Sequence, residues 1–185
     1  MSNRYLTGHF ALISIILFSL SLSFYAQSFV LDQLEDLGVY EGMLEFFTEG
    51  GIKLAILFVF LLIFFMVFSA LKLISDTTVQ LSMLFFSKDE DGSELNKVRA
   101  GSWIFLVASL LSLLLMQEIF FIAVLFIAAC LVYFMFFIYK IYDSLSVLSL
   151  IGFIFFHVVF WGAFILLVGY TSLRLYNSFI QSIPF

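Results

Sequence analysis

His157 interrupts the apolar run "GFIFFHVVFWGAF", close to the middle of the last long hydrophobic stretch of a 185-residue chain. A charged side chain is costly in a bilayer core, so an ionisable residue at that depth is a functional candidate by default. Imidazole, with its tunable pKa, suits proton transfer. The competing reading is a neutral histidine hydrogen-bonded to a neighbouring helix through a Ser, a Tyr or a backbone carbonyl. No second ionisable residue lies clearly at mid-membrane depth to form a relay or a metal pair, so packing is the reading adopted for His157. Glu118 is the second candidate. With Gln117 it forms the polar pair inside the apolar stretch from Ala100 to Tyr139. Its plainer role is to mark a wet turn. A turn that dips into the bilayer would instead bring it toward His157 or the acidic residues near 31–50.

Other fragments carry less. Glu41, Glu45 and Glu49 recur every four residues, a spacing that suits a solvated helix face and could gather cations only weakly. "DEDGSE" has calcium-loop vocabulary, but placing Gly92 sixth puts Ser87 first and Val98 last, where an EF-hand needs oxygen ligands. "FIAAC" imitates a lipid-attachment box, yet Cys130 sits deep in a later apolar stretch and reads as a buried, inert thiol. There is no HExxH, no GxSxG, no phosphate-binding loop and no pair of intramembrane aspartates. The expectation is therefore a non-enzyme with no catalytic residue, no metal ligand and no cofactor.

Composition says what must position these residues. Hydrophobic residues make up 64% of the chain and charged ones 11%, against about 25% charged in a soluble domain. Eight Lys/Arg and thirteen Asp/Glu cannot cover a water-facing globule, so the lipid bilayer is the expected solvent. A net charge of −5 offers no basic surface for nucleic acid, and a single cysteine excludes an intrachain disulfide framework.

Crossing about 30 Å of hydrocarbon takes about 20 helical residues. The apolar runs predict an all-α bundle of five transmembrane helices in one domain, 1–185, with spans at about 10–30, 52–75, 100–116, 119–139 and 145–170. The first reads as an uncleaved anchor, since Phe24 fits poorly as part of a small-x-small exit before Ala26. Ala100 to Tyr139 as one rod would be about 60 Å long, twice the bilayer core, so the chain must fold back at Gln117-Glu118, without a Gly or Pro to help. Five spans with the N-terminus cytoplasmic place Arg4, Lys72, Lys88, Lys97, Arg99 and Lys140 inside, and only Lys53 and Arg174 outside. That bias sets N-in, C-out. The acidic outer segment 31–51 is expected to hold one or two short amphipathic helices at the interface, with Gly38 ending the first. The cytoplasmic segment 76–99 either prolongs the second helix past the membrane or lies along its surface, with a solvated tip at "SKDEDGSE" and Ser93 as N-cap of the helix leading into span three.

Small residues recur at helix-contact spacing: Ser19 with Ser23, Ala108 with Ser112, and Gly162 with Gly169. They let backbones approach where lipid removes the hydrophobic drive for association, and intramolecular packing is the reading adopted. A membrane-protein partner or a homo-oligomer through the same faces is the alternative.

The stretches "GIKL", "FSALKLISDT", "LFFSKD", "RAGSWIF" and "LRLYNSF" give the whole chain a resemblance to the YufK-like family of uncharacterised membrane proteins from Bacillus and relatives. The resemblance implies a multi-pass protein of the bacterial cytoplasmic membrane and brings no activity and no functional residues. The functional expectation is a non-enzymatic accessory or partner-binding component. The alternative is a small transporter or ion-conducting protein, in a homo-oligomer if need be, using His157. A single proline, Pro184, and no evident repeat count against the broken-helix architecture of many transporters.

Overall fold

A bilayer core offers no partner for a peptide N–H or C=O, and a helix satisfies both within one segment. The computed structural model describes residues 4–87 and 98–182. Its elements are α1 (Arg4–Asp36), α2 (Val39–Leu44), α3 (Glu49–Phe86), α4 (Ser102–Ser112), α5 (Ile119–Ile141) and α6 (Val147–Ser182). Single 3-10 turns precede α4 at Arg99–Gly101, follow it at Leu113–Leu115 and precede α6 at Tyr142–Ser144. No strand occurs among the described residues, so the fold is all-α. Four segments are long and apolar enough to cross a membrane: His9–Asp36, Glu49–Phe86, Ile119–Ser144 and Val147–Gln181. A shorter apolar piece covers Arg99–Leu115.

The helices outrun the expected spans, because hydropathy bounds the apolar part of a helix and not the helix. Residues 76–86, expected in a cytoplasmic segment, complete the 38 residues of α3, which reach about 57 Å against a core of about 30 Å. After Gly50 and Gly51 in its first turn, no Gly or Pro interrupts α3. The expected tip at 88–94 and the Ser93 cap lie outside the described residues. Leu31 and Leu34 likewise belong to the end of α1, so α2 is the one separate short helix between α1 and α3. Gly38 ends the run, as expected: it adopts φ 68, the left-handed conformation that glycine enters at least cost, and its N–H donates to Glu35 O at 2.9 Å. The acids at 41, 45 and 49 do not share one helix face. Glu41 lies in α2, while Glu49 opens α3 and pairs with Lys53.

The chain breaks at residues 116–118, and it does so without glycine or proline. The 3-10 turn Leu113–Leu115 tightens the end of α4. Glu118 N–H then donates to Leu115 O at 3.0 Å, and Glu118 O accepts from the N–H groups of Phe121 and Ile122 at 3.1 and 3.3 Å. Glu118 thus closes one helix and opens the next.

The described residues form two compact units, 4–75 with 98–141, and 76–87 with 142–182. In the first unit α1 is the most enclosed of the long helices, with 33% of its apolar stretch buried against 6% for α3 and 11% for α5. It runs parallel to α4: Phe10 packs on Trp103 with ring centroids 4.3 Å apart, and Ser21 meets Ser112 further along both helices. It runs antiparallel to the start of α3, where Gln27 Nε2 donates to Lys53 O at 2.7 Å and Phe18 faces Phe68. Phe126 of α5 completes the centre edge-on to both Phe18 and Phe68, around a core of Phe18, Ala108, Ile122 and Ala129.

Small residues make the close approaches. Ser19, Ser23, Ala108 and Ser112 are buried, and so are Ser14, Ser21 and Ser109. Ser21 Oγ and Ser112 Oγ lie 2.8 Å apart, while each also reaches its own helix, Leu17 O at 3.0 Å and Ser109 O at 2.7 Å. A hydroxyl has one proton, so one serine bonds across to the other, which then bonds its own carbonyl. Gly101 is tighter still: a Cβ there would stand 2.7 Å from Tyr133 Cε2 and 2.9 Å from Phe136 Cδ1.

Three outcomes follow for the first unit. Gly101→Val forces both rings of α5 aside and destabilises the protein by about 1–3 kcal/mol in denaturant titration, the usual cost of overpacking. Gly50→Ala, with nothing within 4 Å of its Cβ, does not destabilise it. A double-mutant cycle with Ser21→Ala and Ser112→Ala gives a coupling of about 0.6 kcal/mol, the average for interhelical hydrogen bonds in membranes, and zero coupling refutes the cross-helix bond.

Candidate functional site

The second unit carries His157 on α6. Ser146 starts that helix: its Oγ accepts from Ser149 N–H at 3.2 Å and lies 2.8 Å from Ser149 Oγ. Its carbonyl takes the first helical bond, from Leu150 N–H at 2.9 Å. Ten residues past Val147, His157 lies about 15 Å along the axis. It is buried, with 5% of its surface exposed. Its Nδ1 is 3.0 Å from Phe153 O. A carbonyl only accepts, so Nδ1–H is the donor and Nε2 carries the lone pair in the neutral ring. That carbonyl lies four residues back on the same helix. The physical reason is proximity, and Ser14 and Ser19 reach Phe10 O and Ile15 O in the same way.

Rings enclose the imidazole. Phe153 lies against it with centroids 4.3 Å apart and planes 31° from parallel. Phe156 presents an edge at 5.8 Å and in turn touches Phe86, from the end of α3, at 6.4 Å. Phe86 reaches that position because Gly152 leaves it room, since a Cβ on Gly152 would fall 2.6 Å from Phe86 Cε1. Thr78, Ser82 and Met83 of the α3 end are also buried in this unit.

Glu118 belongs to the other unit and is exposed at its turn; its backbone, described above, is what the structure uses. Cys130 is partly buried in α5. Among the described residues no group of three or more His, Cys, Asp or Glu is placed to hold a metal. Lys140 lies over Phe136 and Tyr139 at the end of α5, 5.7 and 5.8 Å from their centroids. Sequence reasoning missed Gly101, Gly152 and the Ser21–Ser112 pair. The available signal was a lone glycine near the start of an apolar run.

A groove of about 380 Å³ runs beside this site, lined by Phe156, Val159, Phe160, Ala163, Phe164 and Leu167. Phe156, Phe160 and Phe164 stack along it at 6.2 and 6.5 Å. Gly162 and Gly169 do not pack inside the chain as expected: a Cβ on either meets nothing within 4 Å. They lie where α6 has left the neighbours that cover its first three turns.

A family of unknown function, DUF5366, matches residues 27–184. The chain belongs to this family. An uncharacterized membrane protein, YufK of Bacillus subtilis (strain 168), is 46% identical over 184 residues, covering 100% of both chains. No solved structure matches. The DUF5366 chain described here is thus a membrane protein by its relative and by its apolar helices, and the resemblance read from its sequence holds over its full length.

His157→Phe keeps the ring contacts and leaves Phe153 O its helical amide bond, so unfolding midpoints in mixed micelles shift by less than about 1 kcal/mol. His157→Lys puts an ammonium in the same ring-lined place and loses more than about 2 kcal/mol. Equal losses in the two variants would contradict the packing role of the imidazole.

Proposed function

We propose that this protein is a non-enzymatic, partner-binding component of the bacterial cytoplasmic membrane, crossing it five times with the N-terminus inside and the C-terminus outside. One observation carries the partner-binding part. From Val158 to Gln181, α6 is exposed at nearly every position among the described residues, while α1 is enclosed. A helix left bare within its own unit offers a surface to another helix.

The five-span reading draws on lengths and directions. Arg99–Leu115, with eleven α and six 3-10 residues, reaches about 28 Å, close to a bilayer core of about 30 Å. α1 and α4 run parallel, as two helices that both leave the cytoplasm must. The six-to-two bias of Lys and Arg then sets the orientation. For His157, the ring-lined setting and the bond to its own helix favour packing over conduction.

Three measurements test the reading. In a Cys130→Ser background, a cysteine at position 90 reacts with an impermeant maleimide only from the cytoplasm, and one at position 36 only from outside; the reverse pattern overturns the orientation. Affinity purification from gentle detergent recovers a second protein chain with the tagged one, and recovery of the tagged chain alone argues against partner binding. A proton or solute flux in vesicles that His157→Phe abolishes at unchanged expression replaces the accessory role with transport.

A further inference from the structure

The middle of α4 is held by its neighbours, while both of its ends are wound differently. Phe10 packs on Trp103 and Ser21 bonds with Ser112, which sets the register on α1. Ala108 between them sits in the core with Ile122 and Ala129 of α5. The 3-10 turns lie outside those two contacts, Arg99–Gly101 on one side and Leu113–Leu115 on the other. The dihedrals show the tighter winding reaching their neighbours. ψ is −14° at Gly101, −21° at Ser102, −24° at Leu113 and −20° at Met116, against about −42° in an α-helix. Glu118 N–H likewise donates to the carbonyl three residues back, Leu115 O.

This winding adds length. A 3-10 residue rises about 2.0 Å and an α residue about 1.5 Å. Wound as α throughout, the chain from Arg99 to Glu118 would reach about 29 Å. Its six 3-10 residues lengthen it to about 32 Å. The neighbouring α5 covers about 33 Å from Glu118 to Lys140. The two helices share Glu118 at one end and carry Arg99 and Lys140 at the other, so the stretch lets the shorter segment keep pace with the longer. Tilting serves a span that is too long for the bilayer. It does nothing for one that is too short.

We propose that the two 3-10 turns are a length adjuster: they rewind to α in a thin bilayer and stay 3-10 in a thick one, so α4 follows membrane thickness over about 3 Å. This rests on the five-span reading, in which α4 crosses the membrane. Rewinding moves each hydrogen bond from the carbonyl three residues back to the one four residues back and loses none. Gly101 presents only backbone to the rings of Tyr133 and Phe136, so the inner turn rewinds without driving a side chain into α5. At the other end the Ser21–Ser112 bond holds the near side of the turn. Rewinding there displaces Gln117 and Glu118 along the axis, and the outer face takes a conformation set by the lipid.

The test is pulsed electron-spin distance measurement between paired nitroxides on the full chain in a Cys130→Ser background. The chain is reconstituted into vesicles of dimyristoleoyl or of dierucoyl phosphatidylcholine. The pair Ala100→Cys with Gln117→Cys, both at exposed positions, is expected to lengthen by about 2–3 Å from the thin bilayer to the thick one. The pair Phe120→Cys with Met135→Cys, also exposed, lies in the unbroken α-helix of α5 and is expected to change by less than about 1 Å. An α4 pair that holds its distance, or an α5 pair that lengthens as much, overturns the adjuster. Gln117→Cys alone reports on the five-span reading through an impermeant maleimide. Labelling from outside together with a fixed α4 distance sinks the adjuster and leaves five spans standing. Labelling only from the cytoplasm sinks both.

Discussion

Hydrocarbon cannot hydrogen-bond, and each backbone amide and carbonyl of a spanning segment must find its partner within the protein. The helices answer that demand, and the polar side chains inside them answer it in the same local way. Ser14, Ser19, Ser109 and His157 place a donor on a carbonyl three or four residues back, and so does one serine of the Ser21–Ser112 pair. Polar residues that suggest chemistry on paper are thereby absorbed by their own helices. His157 is the clearest instance: its Nδ1–H is tied to Phe153 O, and its faces are spent on phenylalanine rings.

Once every helix is internally satisfied, association between helices has to come from close fit, because lipid tails solvate leucine as well as another helix does. The first unit shows two forms of fit. Serines and Ala108 bring α1 and α4 together and allow the Ser21–Ser112 bond, and Gly101 admits the rings of Tyr133 and Phe136. In the second unit Gly152 admits Phe86 in the same manner. α6 carries equally small residues at 162 and 169, but a Cβ on either meets nothing within 4 Å among the described residues. The contrast between Gly152, filled, and Gly162, open, separates the part of α6 that packs within its unit from the part that does not.

Helical class, the break at Gln117-Glu118 and the stop at Gly38 were legible in the sequence, because each follows from a local rule: apolar run length, the limit that bilayer thickness places on a rod, and the left-handed tolerance of glycine. Helix ends were less legible. Nothing in residues 76–86 or 171–182 breaks a helix, yet both fall outside the hydropathy that marks a span, so the sequence left the end of α3 open between two readings and stopped α6 short. The serine stripes were recognisable as packing. Which serine crosses to another helix was not, since Ser19, Ser21 and Ser23 look alike until α4 is placed beside them.

The amino-acid sequence alone determined the solvent, the secondary structure and the candidate residues, because composition and helical periodicity depend on neighbours along the chain. Tertiary structure decided which small residues are filled and which serine crosses to another helix. Those outcomes depend on distances between segments far apart in sequence, and two glycines with the same local surroundings differ only in whether another segment's phenylalanine stands opposite.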